Sequence, residues 1–166
     1  MQVLVAYGSK RGGTAGLAEM IGDSLAGAGM QAEVHPARKV KGLEGFDAVV
    51  IAGALYANRW HRDARWFARR HVEALRRCPV WLVASGPLDA SASSGEIPPV
   101  KQVAEAMSDL GARGQRTFGG RLEPTATGFP ARAMAKNHSG DWRDAQQVHD
   151  WAVSVAADLA AGREPS

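Results

Sequence analysis

The chain has 166 residues, 45% of them hydrophobic, which is enough for one domain with a core of its own. Its one cysteine, Cys78, excludes an intrachain disulfide and a zinc site made from several cysteines. The net charge of +3 is modest, yet seven arginines stand against only Asp63 and Glu73 between Arg59 and Arg77, a local excess of +5. No apolar run reaches 18 residues and Met1 leads straight into a strand pattern, so no transmembrane helix and no secretion signal is expected. A cytoplasmic protein, at most peripheral at a membrane, follows from that reading, and no nucleic-acid partner is expected.

The elements follow from hydrophobic periodicity. "VLVAY" (3–7) is apolar without alternation, as in a strand buried on both faces. Leu17, Met20, Ile21, Leu25 and Ala28 recur at helical spacing, and Gly27 and Gly29 mark the helix end. "QAEVHP" (31–36) alternates and stops at proline, which predicts a more exposed strand. "AVVIAGA" (48–54) is a third strand. Ala64, Phe67, Ala68, His71, Leu75 and Cys78 form one helical stripe ended by Pro79. "VWLVAS" (80–85) is the fourth strand. Val100, Val103, Met107 and Leu110 form a helix after Pro98 and Pro99, "QRTFGG" (115–120) is a fifth strand, and Ala145, Val148, Ala152, Val155 and Leu159 form a closing helix that ends near Gly162. Short apolar strands alternating with helices predict an α/β fold: a five-stranded parallel sheet in flavodoxin-like order 2-1-3-4-5, with helices on both faces, in one domain over 1–166. Ligands of such sheets bind where the strands end, here after Tyr7, Gly53 and Ser85.

The loop after the first strand, "YGSKRGGTAGLAE" (7–19), is built to hold an anion. A P-loop needs Lys before its final Ser or Thr, but Gly13 precedes Thr14. A dinucleotide fingerprint needs Gly at position 11, which is Arg, and an acid after the second strand, where His35 stands. A single phosphate remains, held by backbone N–H groups at a helix start with hydroxyls from Ser9 and Thr14, while Gly12 and Gly13 permit close approach.

"SKRGGT" (9–14) is similar to the flavodoxin phosphate pattern of Ser or Thr, two residues, Gly, one residue, Thr. "AGALYANRWHRDARWFARRH" (52–71) and "CPVWLVASGPL" (78–88) look like the second and third flavin loops with their flanks, and "SGDWRDAQQVHDWA" (139–152) like the last helix. Together they resemble the short flavodoxin-like family that includes the quinone-linked (menaquinone-dependent) protoporphyrinogen oxidase of bacteria. The resemblance implies FMN, with its phosphate on Ser9, Lys10, Arg11, Gly12, Gly13 and Thr14. It also implies a flavin ring between Ala54, Leu55, Tyr56, Ala57, Asn58 and Trp60 on one side and Ser85, Gly86, Pro87 and Leu88 on the other. Tyr56 and Trp60 are the aromatic side chains available to stack on the ring. Ala57-Asn58 is the candidate for a peptide that turns to accept a hydrogen bond from the reduced flavin, because Asn tolerates positive φ. "SGPLDASASSGE" (85–96) has no aromatic residue, so one flavin face stands open.

His71 lies on an apolar stripe and reads as a core histidine; His61 and His138 read as loop residues, Trp142 and Trp151 as packing residues. Neither a carboxylate pair, a metal-ligand spacing nor a nucleophile beside a base stands out, so no catalytic side chain is assigned. The leading function is an FMN-dependent oxidoreductase with an exposed flavin, passing electrons from an organic substrate to a quinone or similar acceptor. A small electron-carrier flavodoxin and a flavodoxin-fold binding module without flavin are the alternatives. Arg62, Arg65, Arg69 and Arg76 are expected on one helix face, where Arg62, Arg65 and Arg69 can dock an acidic protein, an anionic substrate or an anionic membrane surface.

Overall fold

The computed structural model describes residues 1–8, 13–86, 98–119 and 138–163. Strand β1 (Gln2–Gly8) leads to helix α1 (Gly13–Gly27) and strand β2 (Gln31–Pro36), followed by one 3-10 turn at Ala37–Lys39. β3 (Ala48–Tyr56) turns back into a two-residue strand β4 (Arg59–Trp60) before α2 (Arg62–Arg70) and α3 (Val72–Leu75). β5 (Val80–Gly86), α4 (Lys101–Leu110), β6 (Gly114–Gly119) and α5 (His138–Arg163) complete the described elements.

The long strands pair in parallel in the order β2-β1-β3-β5-β6, the expected five-strand order, and β4 pairs antiparallel with β3 alone. Alternation of side chains along each strand divides the core in two. Val3 and Val5 of β1, Ala48, Val50 and Ala52 of β3, and Trp81 and Val83 of β5 point to one face, under α1 and α5. Their neighbours Leu4, Ala6, Val49, Ile51, Val80, Leu82 and Ala84 point to the other, under α2, α3 and α4. These side chains are buried on both faces, and each large one contributes about 1.5–3 kcal/mol by leaving water. That is why β1, β3 and β5 read as unbroken apolar runs, while edge strand β2 alternates between exposed and half-buried residues.

Besides β4, two helices depart from the expectation. The single second helix is interrupted at His71 (φ −105°, ψ 23°), so α2 and α3 are separate, although Ala64, Phe67, Ala68, His71 and Leu75 are all buried as one stripe. The closing helix starts at His138, a residue read as part of a loop, well before Ala145. Trp151 on that helix meets Phe118 of β6 edge to face at 5.9 Å, a packing role as expected. No helix among the described residues is long and apolar enough to cross a membrane.

Candidate functional site

The crest where β1, β3 and β5 end is the point at which strand order reverses: β2 lies on one side of β1 and β3 on the other. Such a point opens a crevice between the strand ends. Three chain segments meet there, and each is shaped by small residues.

β1 ends at Gly8, which lies beside Gly53 of β3 in the register. A Cβ on Gly8 would sit 2.9 Å from His61 Nδ1 and 3.0 Å from the Ala64 N, and one on Gly53 would sit 2.7 Å from Trp60 Nε1 and 2.8 Å from the Ala64 Cβ. The missing side chains therefore let the start of α2 and the Trp60 indole lie directly on the sheet. Four residues of the expected phosphate loop, Ser9, Lys10, Arg11 and Gly12, lie outside the described residues. Gly13 opens α1, and Thr14 in its first turn is 2% exposed. At the end of β1, burial and the Glu19 carboxylate push the Tyr7 phenol above its ordinary value, so it keeps its proton and can donate.

β3 continues into a hairpin. Leu55 pairs with Trp60 and Tyr56 with Arg59, leaving Ala57 and Asn58 as the two turn residues. Both have positive φ, 49° and 62°, the signature of a type I′ turn, whose twist matches that of the strands it joins. Asn58 takes this conformation readily; for Ala57 it costs roughly 1–2 kcal/mol. One further bond, from His61 N to the Ala54 carbonyl at 2.8 Å, closes the hairpin base. At its outer end Tyr56 is 51% exposed. Leu55 leans the other way: its Cδ1 comes within 3.1 Å of where a Gly86 Cβ would be, so the second loop touches the end of β5. Ser85 pairs with Ala54 across β5 and β3. Pro87 and Leu88 lie outside the described residues.

The two aromatic candidates for stacking differ in exposure. The Trp60 ring is 1% exposed, and its Nε1 donates to the Val83 carbonyl at 3.1 Å. The indole is clamped over Gly53 and lines the hollow beside the hairpin from within the core. Tyr56 is the exposed ring of the two.

Helix α2 starts at this hairpin. His61 caps it, its Nδ1 accepting the Asp63 backbone N–H at 3.0 Å, so the proton of the neutral ring sits on Nε2. His61 is thus a helix cap and not simply a loop residue; histidine is not among the side chains that usually cap helices, so the sequence carries no local signal for it. Asp63 is held by Arg38 from the 3-10 turn, Nε to Oδ1 2.7 Å, leaving Arg62 at 4.0 Å as a weaker partner. No acid pairs with Arg59, Arg65 or Arg69 among the described residues. Arg76 does not join them: its Nε donates to the Asp109 carbonyl at 2.7 Å and its Nη1 lies 3.8 Å from Glu73, tying α3 to α4. Tyr56, Arg59, Arg62 and Arg65 line an open hollow of about 680 Å³ alongside the hairpin. A smaller hollow of about 340 Å³ lies away from the strand ends, between α2, α3 and α4.

His71 is a core residue as expected, but its hydrogen bonding is incomplete. It packs 4.6 Å from the Phe67 ring and bonds the Val40 backbone, while its buried Nε2 has no partner. Burial first, then the Arg70 guanidinium, hold the imidazole below its ordinary value.

The sequence matches the flavodoxin domain over residues 4–139. No curated protein matches it. Among solved structures it is similar to a flavodoxin from the domain Archaea, at 16% identity and a TM-score of 0.66, covering 96% of this chain and 99% of that one. A cysteine-to-serine mutant of the flavodoxin from Pseudomonas aeruginosa gives 17% identity and a TM-score of 0.62, again over 96% and 99%. Rubredoxin oxygen:oxidoreductase from Desulfovibrio gigas is similar at 15% identity and a TM-score of 0.67, over 96% of this chain but only 36% of that longer one. At these identities the likeness is one of fold.

Proposed function

The chain belongs to the flavodoxin-domain family, and we propose that it binds FMN at the crest of the sheet and works as an FMN-dependent oxidoreductase. In this reading it resembles quinone-linked protoporphyrinogen oxidase, taking electrons from an organic substrate and passing them to a quinone or similar acceptor. The observation that carries the cofactor assignment is the pairing of a helix start after β1 with a two-residue left-handed turn after β3, at the point where strand order reverses. The residues present fit FMN. Thr14 is a buried hydroxyl residue in the first turn of α1, where backbone N–H groups are unpaired and an anion is favoured. Tyr56 offers an exposed ring for stacking.

FMN, when bound, supplies the redox chemistry at its ring; the chain supplies placement and electrostatics. Thr14 and the α1 start would hold the phosphate end, and Tyr56 would stack against the ring. The Ala57–Asn58 peptide, already in a strained turn, is the one that can reorient as protons and electrons move. Tyr7 holds its proton near the phosphate loop and can serve as a donor there.

A small electron-carrier flavodoxin is the second reading, favoured by a chain that spans 99% of the length of the archaeal and Pseudomonas flavodoxins. Anaerobic titration separates the two. The purified protein, reconstituted with FMN or FAD, is expected to retain FMN and show its visible absorbance. Photoreduced protein that a quinone reoxidises rapidly supports the oxidoreductase. Slow reaction with quinone beside fast exchange with a one-electron acceptor supports the carrier, and no retention of flavin removes both.

A further inference from the structure

We propose that the hollow beside the hairpin, lined by Arg59, Arg62 and Arg65, together with Arg69 further along α2 and outside that hollow, is a docking surface for an acidic protein, which seats a convex, carboxylate-bearing segment there. Its role as a redox partner rests on the FMN reading; the surface itself does not.

Three observations favour a protein as the occupant. The first is charge left uncommitted. Arg38 occupies the Asp63 carboxylate that would otherwise offset the row, and Arg59, Arg65 and Arg69 have no acidic partner among the described residues. Arg59, Arg62 and Arg69 are exposed and Arg65 is half-buried, and Arg65 and Arg69 border the smaller hollow that Glu105 and Asp109 also line without forming an ion pair with them; a row of this kind attracts and orients an opposite charge. The second is spread. From Arg62 to Arg69 the helix rises roughly 10 Å, at 1.5 Å per residue, and Arg59 extends the row onto the hairpin. One small anion cannot bridge that length, whereas a row of carboxylates on a protein surface can. The third is shape. A concavity of about 680 Å³ receives a convex loop and leaves a flat bilayer unfilled. Of the apolar residues of α2 that a membrane-binding helix would insert, Ala64, Phe67 and Ala68 are buried in the core, and Trp66 is half-buried with the Arg38 and Arg70 guanidiniums over its ring. Tyr56, the large exposed apolar side chain on this side, stands on the rim of the hollow, where an aromatic residue anchors protein interfaces.

The test uses the full chain, with a fluorescein-labelled oligoglutamate peptide as probe and fluorescence anisotropy as readout, on FMN-free and FMN-loaded protein in parallel. Arg62→Glu with Arg65→Glu is expected to weaken peptide binding by about tenfold or more, equivalent to about 1.4 kcal/mol. The control, Lys41→Glu with Arg77→Glu, makes the same change in net charge in the loops that enter β3 and β5, at the end of the strands opposite the crest, and is expected to change binding less than about twofold. Tyr56→Ala is expected to weaken binding at a salt concentration that leaves the charged contacts intact. Equal losses in the two reversal pairs overturn the proposal, since binding then follows net charge alone. So does citrate that displaces the peptide at equal carboxylate concentration, or vesicles of phosphatidylcholine with phosphatidylserine that bind through Arg62 and Arg65 where the peptide does not. A protein that retains no FMN yet binds the peptide through these arginines keeps the surface and removes the cofactor assignment. An FMN-loaded protein without arginine-dependent binding does the reverse.

Discussion

The two faces of the sheet are built alike inside and differently outside. Under α1 and α5 the core holds Leu17, Ile21, Leu25 and Val155; under α2 to α4 it holds Trp60, Phe67, Leu75 and Val103. Burial is equally complete on both sides. On the surface the two differ in sign: α1 carries Glu19 and Asp23 and no cation, whereas α2 carries four arginines against Asp63. The core needs none of those arginines, and exposed charges of this kind add little to stability. What the α2 face has in addition is the hairpin, which places Trp60 in the core and Tyr56 in solvent within five residues. The difference between the faces is therefore a difference in what borders the crest, and four predictions probe it.

The largest effect is expected from Trp60→Ala. It deletes a fully buried ring and its bond to Val83, and should cost about 3–5 kcal/mol in urea denaturation. Leu17→Ala on the other face should cost about 2–5 kcal/mol as well, so stability alone does not distinguish the faces. The hairpin does: Trp60→Ala should also speed amide exchange at the His61 N–H bonded to Ala54, while Leu17→Ala should leave that amide slow. Equal exchange in the two variants would show that the hairpin is not held by its tryptophan.

Next in size is Gly53→Ala. The added methyl meets Trp60 and Ala64, both locked in the core, and should destabilise by about 1–3 kcal/mol. Gly27→Ala at the end of α1 meets nothing within 4 Å and should be neutral or stabilising by up to about 1 kcal/mol. A thermal denaturation pair reads both, and a tolerated Gly53→Ala would mean that the indole can withdraw from the strand.

Ala57→Gly should stabilise by about 0.5–1 kcal/mol, because glycine takes the positive φ of the turn without steric cost, with some of the gain offset by the freer unfolded chain. An FMN-loaded protein is the sharper setting. If the strain is used at the cofactor, the variant gains stability and its flavin reduction potential shifts; a gain in stability with no shift leaves the turn a purely structural feature.

Much of this arrangement was legible in the sequence. β1, β3 and β5 announce themselves because strands buried on both faces cannot carry polar residues, and the parallel order follows from their alternation with helices. The hairpin was not legible. β4 has two residues, and its turn is Ala-Asn, not the Asn-Gly that signals such a turn, so nothing local marked Arg59 and Trp60 as a strand. The burial of Trp60 is hidden for the same reason: without β4 it looks like a loop aromatic. The glycine inside an apolar run at Gly53 was the overlooked signal, since such a residue marks a close approach. The interruption at His71 was hidden because the apolar spacing from Ala64 to Leu75 continues through it.

That histidine gives the smallest prediction, a slope and not a loss. His71 is kept neutral in the folded chain, chiefly by burial and then by Arg70, so its folded value lies below the ordinary 6.5. The unfolded chain therefore takes up the proton first as pH falls. The stability tied to the neutral ring is fully present above about 6.5 and is lost as pH drops from there toward the folded value. His71→Gln removes the titration while keeping a polar group that can bond the Val40 backbone. Urea midpoints measured from neutral to mildly acidic pH should fall less steeply in this variant than in the parent. A parent slope that survives His71→Gln would assign the acid sensitivity to other groups and leave His71 as packing alone.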